Sequence, residues 1–149
     1  MRLHELADAL DLCEFTPGQG GDPDITRGYA SDLLSDVLAR APIGGVLITL
    51  LANREVVAVA SLAGLRAVIF SCGRTPDDRT VASAAADGLS LFGSQTDSFE
   101  VAGRLYESGL RGARRPQSGC ASPLRGHHGG HRAEADWSGA LPLTPETGG

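Results

Sequence analysis

Between Gly45 and Gly73 the apolar positions fall in runs: Val46 to Leu51, an Ala/Val-rich stretch ending at Gly64, then Ala67 to Phe70. Unbroken apolar runs bounded by Gly and polar residues suit strands covered on both faces, the usual situation in a parallel sheet. The polar break Ala52-Asn53-Arg54-Glu55 separates the first two runs. It predicts a helix opened by Asn53 as N-cap and closed by Gly64 as C-cap. The stretch therefore reads as strand, helix, strand.

The same reading extends in both directions. After Gly73, Thr75-Pro76-Asp77-Asp78 predicts a helix start with Thr75 as N-cap and Pro76 at the first helical position. Val81, Ala84 and Ala85 give that helix a weak apolar face, and Gly88 ends it. Leu89 to Phe92 is the next strand. A last helix is predicted from Asp97 or Ser98 to Ser108, with Phe99, Ala102, Leu105 and Tyr106 inward and Gly109 as C-cap. Upstream, Leu3, Leu6, Ala7 and Leu10 predict an amphipathic helix over residues 2–11, followed by a brief strand at Cys13–Thr16 and a Gly/Pro loop from Pro17 to Pro23. Asp24 to Ser31 is a short extended segment. Ser31 is the expected N-cap of a helix over 32–41 that buries Leu33, Leu34, Val37, Leu38 and Ala41.

Strands starting near Val46, Ala67 and Leu89, each followed by a helix, predict an α/β fold. The expected form is a small three-layer domain over residues 1–110, with a mostly parallel sheet built from βαβ repeats. Its strand-to-helix turns would share one sheet edge, where open α/β proteins bind ligands and helix N-termini offer free N–H groups to anions. That places a candidate ligand site at Asn53, Ser71, Gly73, Arg74, Thr75, Ser94 and Thr96. The competing reading is that Asn53, Thr75 and Thr96 cap their helices and nothing more. Asp32 and Asp36 resemble a carboxylate pair, but Asp32 in a first helical turn is explained by the helix dipole. Cys72, beside Arg74 and a helix start, has the setting of a reactive thiol. With no histidine on that edge, it is expected to be a packed side chain.

Charge narrows the partners. Residues 1–110 hold 8 Arg against 15 Asp and Glu, a net of −7, and the remainder 5 against 3, a net of +2. An acidic body argues against a nucleic-acid-binding face, which needs clustered cations. All 13 basic residues are Arg, so lysine chemistry is excluded. Cys13, Cys72 and Cys120 stand far apart, unlike a disulfide framework, a zinc site or an iron–sulfur cluster, and suggest a reducing, cytoplasmic setting. No signal-peptide core and no membrane span is expected. No cofactor, metal site or catalytic residue set is expected either.

Four stretches resemble the DRTGG domain family: Asp24 to Tyr29, Ser31 to Val37, Val56 to Leu62, and Ala102 to Tyr106. The resemblance covers about residues 1–110. Its motif positions are Asp24, Thr26, Gly28, Ser31 and Asp32, with Ile25 and Arg27 standing where the family's name has Arg and Gly. The family implies a small bacterial α/β domain, alone or as a module of phosphotransacetylases and CBS-containing pyrophosphatases. Stand-alone members are often labelled serine kinases, and some are similar to proteins encoded beside hydrogenase components. The chain has no lysine-bearing phosphate loop and no kinase H-R-D or D-F-G set, which speaks against the kinase label.

From Arg111 onward Gly, Pro, Arg, Ser and His replace the apolar pattern, so residues 111–149 are expected to be a disordered low-complexity tail. Weak alternatives there are metal binding by His127, His128 and His131, an anionic partner for Arg111, Arg114 and Arg115, or a shifted reading frame. The resulting expectation is a non-catalytic regulatory module. It forms a homodimer and senses a small anionic metabolite or nucleotide, with links to hydrogenase or acyl-phosphate metabolism. The alternatives are a phosphotransferase and a thiol catalyst acting through Cys72.

Overall fold

The structure, a computed structural model, describes residues 1–114. The expectations for Arg115, Cys120 and the three tail histidines, and the predicted disorder beyond Arg114, lie outside the described residues. The elements run α1 (Leu3–Ala9), β1 (Cys13–Glu14), β2 (Gly28–Ala30), α2 (Leu34–Arg40), β3 (Val46–Thr49), α3 (Arg54–Leu62), β4 (Ala67–Phe70), α4 (Asp78–Asp87), β5 (Ser90–Gly93) and α5 (Ser98–Glu107). The sheet order is β1-β5-β4-β3-β2, parallel throughout except for β1, which pairs antiparallel with β5.

Side chains alternate across the strands, so the apolar runs feed two cores. Val46, Ile48, Ala67, Ile69 and Phe92 meet Leu3, Leu6 and Leu10 from the α1 segment and Val101 and Leu105 from α5. Leu47, Val68, Phe70 and Leu91 meet Val37, Val56, Val57, Ala60 and Ala84 from α2, α3 and α4. Burial on both faces explains why the strands show no polar alternation. The three-layer α/β expectation holds.

Several boundaries and helix phases differ from the sequence reading. Leu33, not Ser31, is the N-cap position of α2, and it makes no side-chain cap. The Ser31 hydroxyl is used two residues on, accepting from the Leu33 amide at 3.2 Å, so the helix starts later. Only Val37 of the expected α2 face is fully buried, while Leu33 and Leu38 are exposed. Asp77, not Thr75, caps α4, its carboxylate accepting from the Thr80 amide at 2.7 Å. On α5, Val101 and Leu105 point inward, which turns Phe99, two residues from Val101 and so about 200° around the helix, out to 87% exposure. Tyr106 is also exposed. The C-cap residues of α3 and α5 are Ala63 and Ser108. Gly64 and Gly109 follow them in left-handed conformations, at φ 71° and 102°.

The chain leaving α5 returns to the free side of β2. Arg27 and Arg111 form a parallel bridge: the Arg111 amide donates to the Thr26 carbonyl at 3.1 Å and the Gly28 amide to the Arg111 carbonyl at 3.0 Å. Arg111, placed by sequence at the head of the tail, is therefore bonded to the sheet.

Candidate functional site

The strand-end edge is the place to begin. β4 and β5 are neighbours, yet β4 leads to α4 on one face and β5 to α5 on the other. Such divergence is what opens a ligand crevice in α/β sheets. Here the protein's own backbone closes it. The Cys72 amide donates to the Thr96 carbonyl and the Gly73 amide to the Ser94 carbonyl, both at 2.8 Å. The Ser71 and Ser98 hydroxyls lie 2.6 Å apart, and those of Ser94 and Thr96 2.9 Å apart. Gly73 has φ 66°, a left-handed conformation that glycine adopts without strain, and a Cβ there would meet the movable end of the Gln95 side chain, Oε1 at 2.9 Å.

Of the expected site residues, Ser71, Gly73, Ser94 and Thr96 are brought together by these bonds. Arg74 and Thr75 are exposed on the same turn. Asn53 caps α3, accepting from the Val56 amide at 3.1 Å. The N-termini of α4 and α5 are capped by Asp77 and Asp97, the latter accepting from the Glu100 amide at 2.9 Å. A carboxylate at a helix N-terminus takes the place an anionic ligand would occupy.

Cys72 is not a packed side chain. It is exposed and its backbone is left-handed at φ 58°. The Cys72–Gly73 pair turns both amides onto the β5–α5 connection, and that turn pushes the thiol outward. Among the described residues the only histidine, His4, sits in α1.

The motif positions hold the β2 edge in place. Asp24 accepts from the N-terminal ammonium at 2.6 Å, which lowers its pKa from the ordinary carboxylate value. Ile25 is fully buried among the α1 and α5 core residues, which accounts for an apolar residue there. Asp32 lies before α2, not in its first turn, and accepts from the Thr49 hydroxyl at 2.8 Å and the Leu50 amide at 2.7 Å. Asp36 accepts from the Tyr29 hydroxyl at 2.6 Å and pairs with Arg40 at 3.2 Å. The two aspartates thus have separate partners. Among the described residues no cluster of His, Cys, Asp and Glu is arranged to hold a metal, and no helix is long and apolar enough to cross a membrane.

Beside β2, Arg111 and Arg114, two of the arginines named above for an anionic partner, are joined by Arg27, which the sequence reading did not place with them. Thr26, Arg27, Gly109, Arg111 and Arg114 line an open depression of about 660 Å³. Arg27 Nη1 donates to the Gly112 carbonyl at 2.9 Å, and Arg111 Nη1 to the Tyr106 and Leu110 carbonyls at 3.0 and 2.8 Å. The Arg111 guanidinium lies 4.2 Å from the centre of the Tyr106 ring. Next to the depression is an apolar slot of about 190 Å³, which shares Arg111 and Gly112 with it. These arginines belong to segments far apart in sequence, one in a drifted motif and two in the apparent tail, so no local pattern marks them as neighbours.

No family model matches the sequence, and no curated protein matches it. Among solved structures, the fold is similar to that of the CBS and DRTGG domains of the regulatory region of Clostridium perfringens pyrophosphatase, complexed with its activator diadenosine tetraphosphate. The TM-score is 0.57 at 14% identity, over 71% of this chain and 46% of that one. The chain thus spans less than half the length of this neighbour. The likeness agrees with the resemblance drawn from Asp24 to Val37, and the chain has a DRTGG-like α/β fold.

Proposed function

We propose that the domain is a non-catalytic regulatory module that responds to a small anionic metabolite of nucleotide type. One observation carries the reading. The buried and half-buried polar side chains at the strand ends bond in pairs, Asp32 with Thr49, Ser71 with Ser98 and Ser94 with Thr96, and do not converge on a point where a substrate atom could react. A catalytic centre needs a nucleophile or base aimed at open space with a positioned partner. The structural neighbour, a regulatory region bound to a dinucleotide activator, supports the regulatory half of the reading and suggests the ligand class. Self-association as a homodimer and a cytoplasmic setting belong to the same proposal. A connection to hydrogenase or acyl-phosphate metabolism rests on the family resemblance alone.

A thermal-shift screen of nucleotides and acyl phosphates against the full chain tests it. A ligand present at 100 times its dissociation constant adds about 2.7 kcal/mol of stability, an easily read shift. Phosphate transfer from ATP to serine that co-purifies with the chain and is lost on substituting Asp32 or Asp36 would establish the phosphotransferase instead.

A further inference from the structure

We infer that the arginine-lined depression and the apolar slot form one site for a ligand that carries both phosphates and a flat aromatic group, the class of a nucleoside polyphosphate. The inference rests on the anion-sensing reading above and gives it a location, beside β2 and away from the strand-end edge.

Charge is the first argument. Residues 1–114 hold 10 Arg against 15 Asp and Glu, a net of −5, yet three arginines gather at one depression, and among the described residues none of them forms an ion pair with a carboxylate. The Asp24 carboxylate, three residues before Arg27 in sequence, is paired with the N-terminal ammonium. Preorganisation is the second. Backbone carbonyls hold one nitrogen each of Arg27 and Arg111, and a guanidinium has five N–H donors, so both forks keep donors for a ligand while their positions are fixed. Fixed guanidinium forks match phosphate oxygens in pairs, a fit that an ammonium group does not reproduce.

Shape is the third. A volume of about 660 Å³ lies within the usual range for small-molecule sites, whereas the slot's 190 Å³ is too small for a whole ligand and suits one ring system. The slot is walled by Ile48, Ala102, Leu105, Tyr106 and Leu110 and ends at Arg111, which the depression shares. A molecule that fills both must pass Arg111 with its charged part on one side and its apolar part on the other. The strand-end edge offers neither feature, since its amides are bonded and its helix ends carry Asp77 and Asp97.

Calorimetric titration of the full chain with ATP, pyrophosphate and adenosine tests the assignment on wild type, Arg27→Ala, Arg114→Glu, Arg74→Ala and Ala102→Met. Arg114, which has no hydrogen bond or ion pair among the described residues, is the variant least exposed to a folding defect. The expected result is that ATP binds more tightly than pyrophosphate or adenosine. Arg27→Ala and Arg114→Glu each weaken ATP by about tenfold or more, the scale of a lost charge-assisted hydrogen bond. Arg74→Ala leaves it unchanged, and Ala102→Met reduces ATP toward the affinity of pyrophosphate. Loss of ATP binding in Arg74→Ala alone overturns this location while leaving the sensing function standing. Equal affinity for ATP and pyrophosphate overturns the aromatic part. Binding of none of the three probes overturns the location and the sensing reading together.

Discussion

Asp32 and Thr49 are joined by a hydrogen bond of 2.8 Å, the Thr49 hydroxyl donating to the carboxylate that also receives the Leu50 amide at 2.7 Å. Thr49 is buried at the end of β3, so this bond fixes the approach to α2 against the sheet. Asp32→Ala leaves a buried hydroxyl and an amide without their charged acceptor. Urea unfolding should show a loss of about 1–3 kcal/mol, the cost of stranding such groups. An unchanged midpoint would mean that water replaces the carboxylate freely.

Gly93 tests how tightly β1 is held. A Cβ there would lie 2.9 Å from two atoms of the Phe15 ring, which itself packs at 6.4 Å from the Phe70 ring. Gly93→Ala should destabilise by about 1–3 kcal/mol through overpacking. Pairing it with Phe15→Leu should recover part of the loss; no recovery would place the strain elsewhere.

Cys72 occupies a left-handed conformation that an L side chain adopts at a cost of about 1–2 kcal/mol. Cys72→Gly relieves it, and because the thiol is exposed nothing is lost from the core. The variant should be as stable as wild type or more so by up to about 1 kcal/mol, glycine's greater freedom in the unfolded chain offsetting part of the gain. A clear destabilisation would show that the thiol makes a contact of its own.

How much of this was legible beforehand depends on how local the signal is. The runs at Val46, Ala67 and Leu89 and the caps Asn53 and Gly88 were readable because each acts within a few residues. Phe99 was misplaced because helix phase is decided by which residue meets the sheet, and several phases fit a short apolar pattern; Leu33 was misplaced because α2 starts only after it. Asp77 displaced Thr75 as cap because its carboxylate takes the Thr80 amide, while the Thr75 hydroxyl faces back toward the Gly73 carbonyl. Arg111 and Arg114 were legible as a basic cluster, but their joining with Arg27 was not, because Arg27 and Arg111 become neighbours only when the chain returns from α5 to β2.

The acidic groups near the N-terminus give the fold a pH dependence of known sign. The Asp22 carboxylate, 2.6 Å from His4 Nδ1, raises the His4 pKa above 6.5, chiefly through their hydrogen bond. Asp22 is lowered in turn, first by the His4 amide and then by its ring. A raised histidine contributes stability below its unfolded pKa and loses it as pH rises through the folded value. The lowered Asp22 and Asp24 contribute above the ordinary carboxylate range and lose it as pH falls through their folded values. Proton NMR titration should find His4 above 6.5 and return it toward that value in Asp22→Asn. A titration unaffected by the substitution contradicts the pairing.

The central claim, that the domain binds a nucleotide-type anion without transforming it, meets its most direct test in phosphorus NMR of ATP mixed with the full chain. Saturable shifts or broadening of the phosphate resonances, with the ATP signal undiminished over hours, is the predicted result. Resonances that never change, or ADP accumulating in proportion to protein, would contradict it.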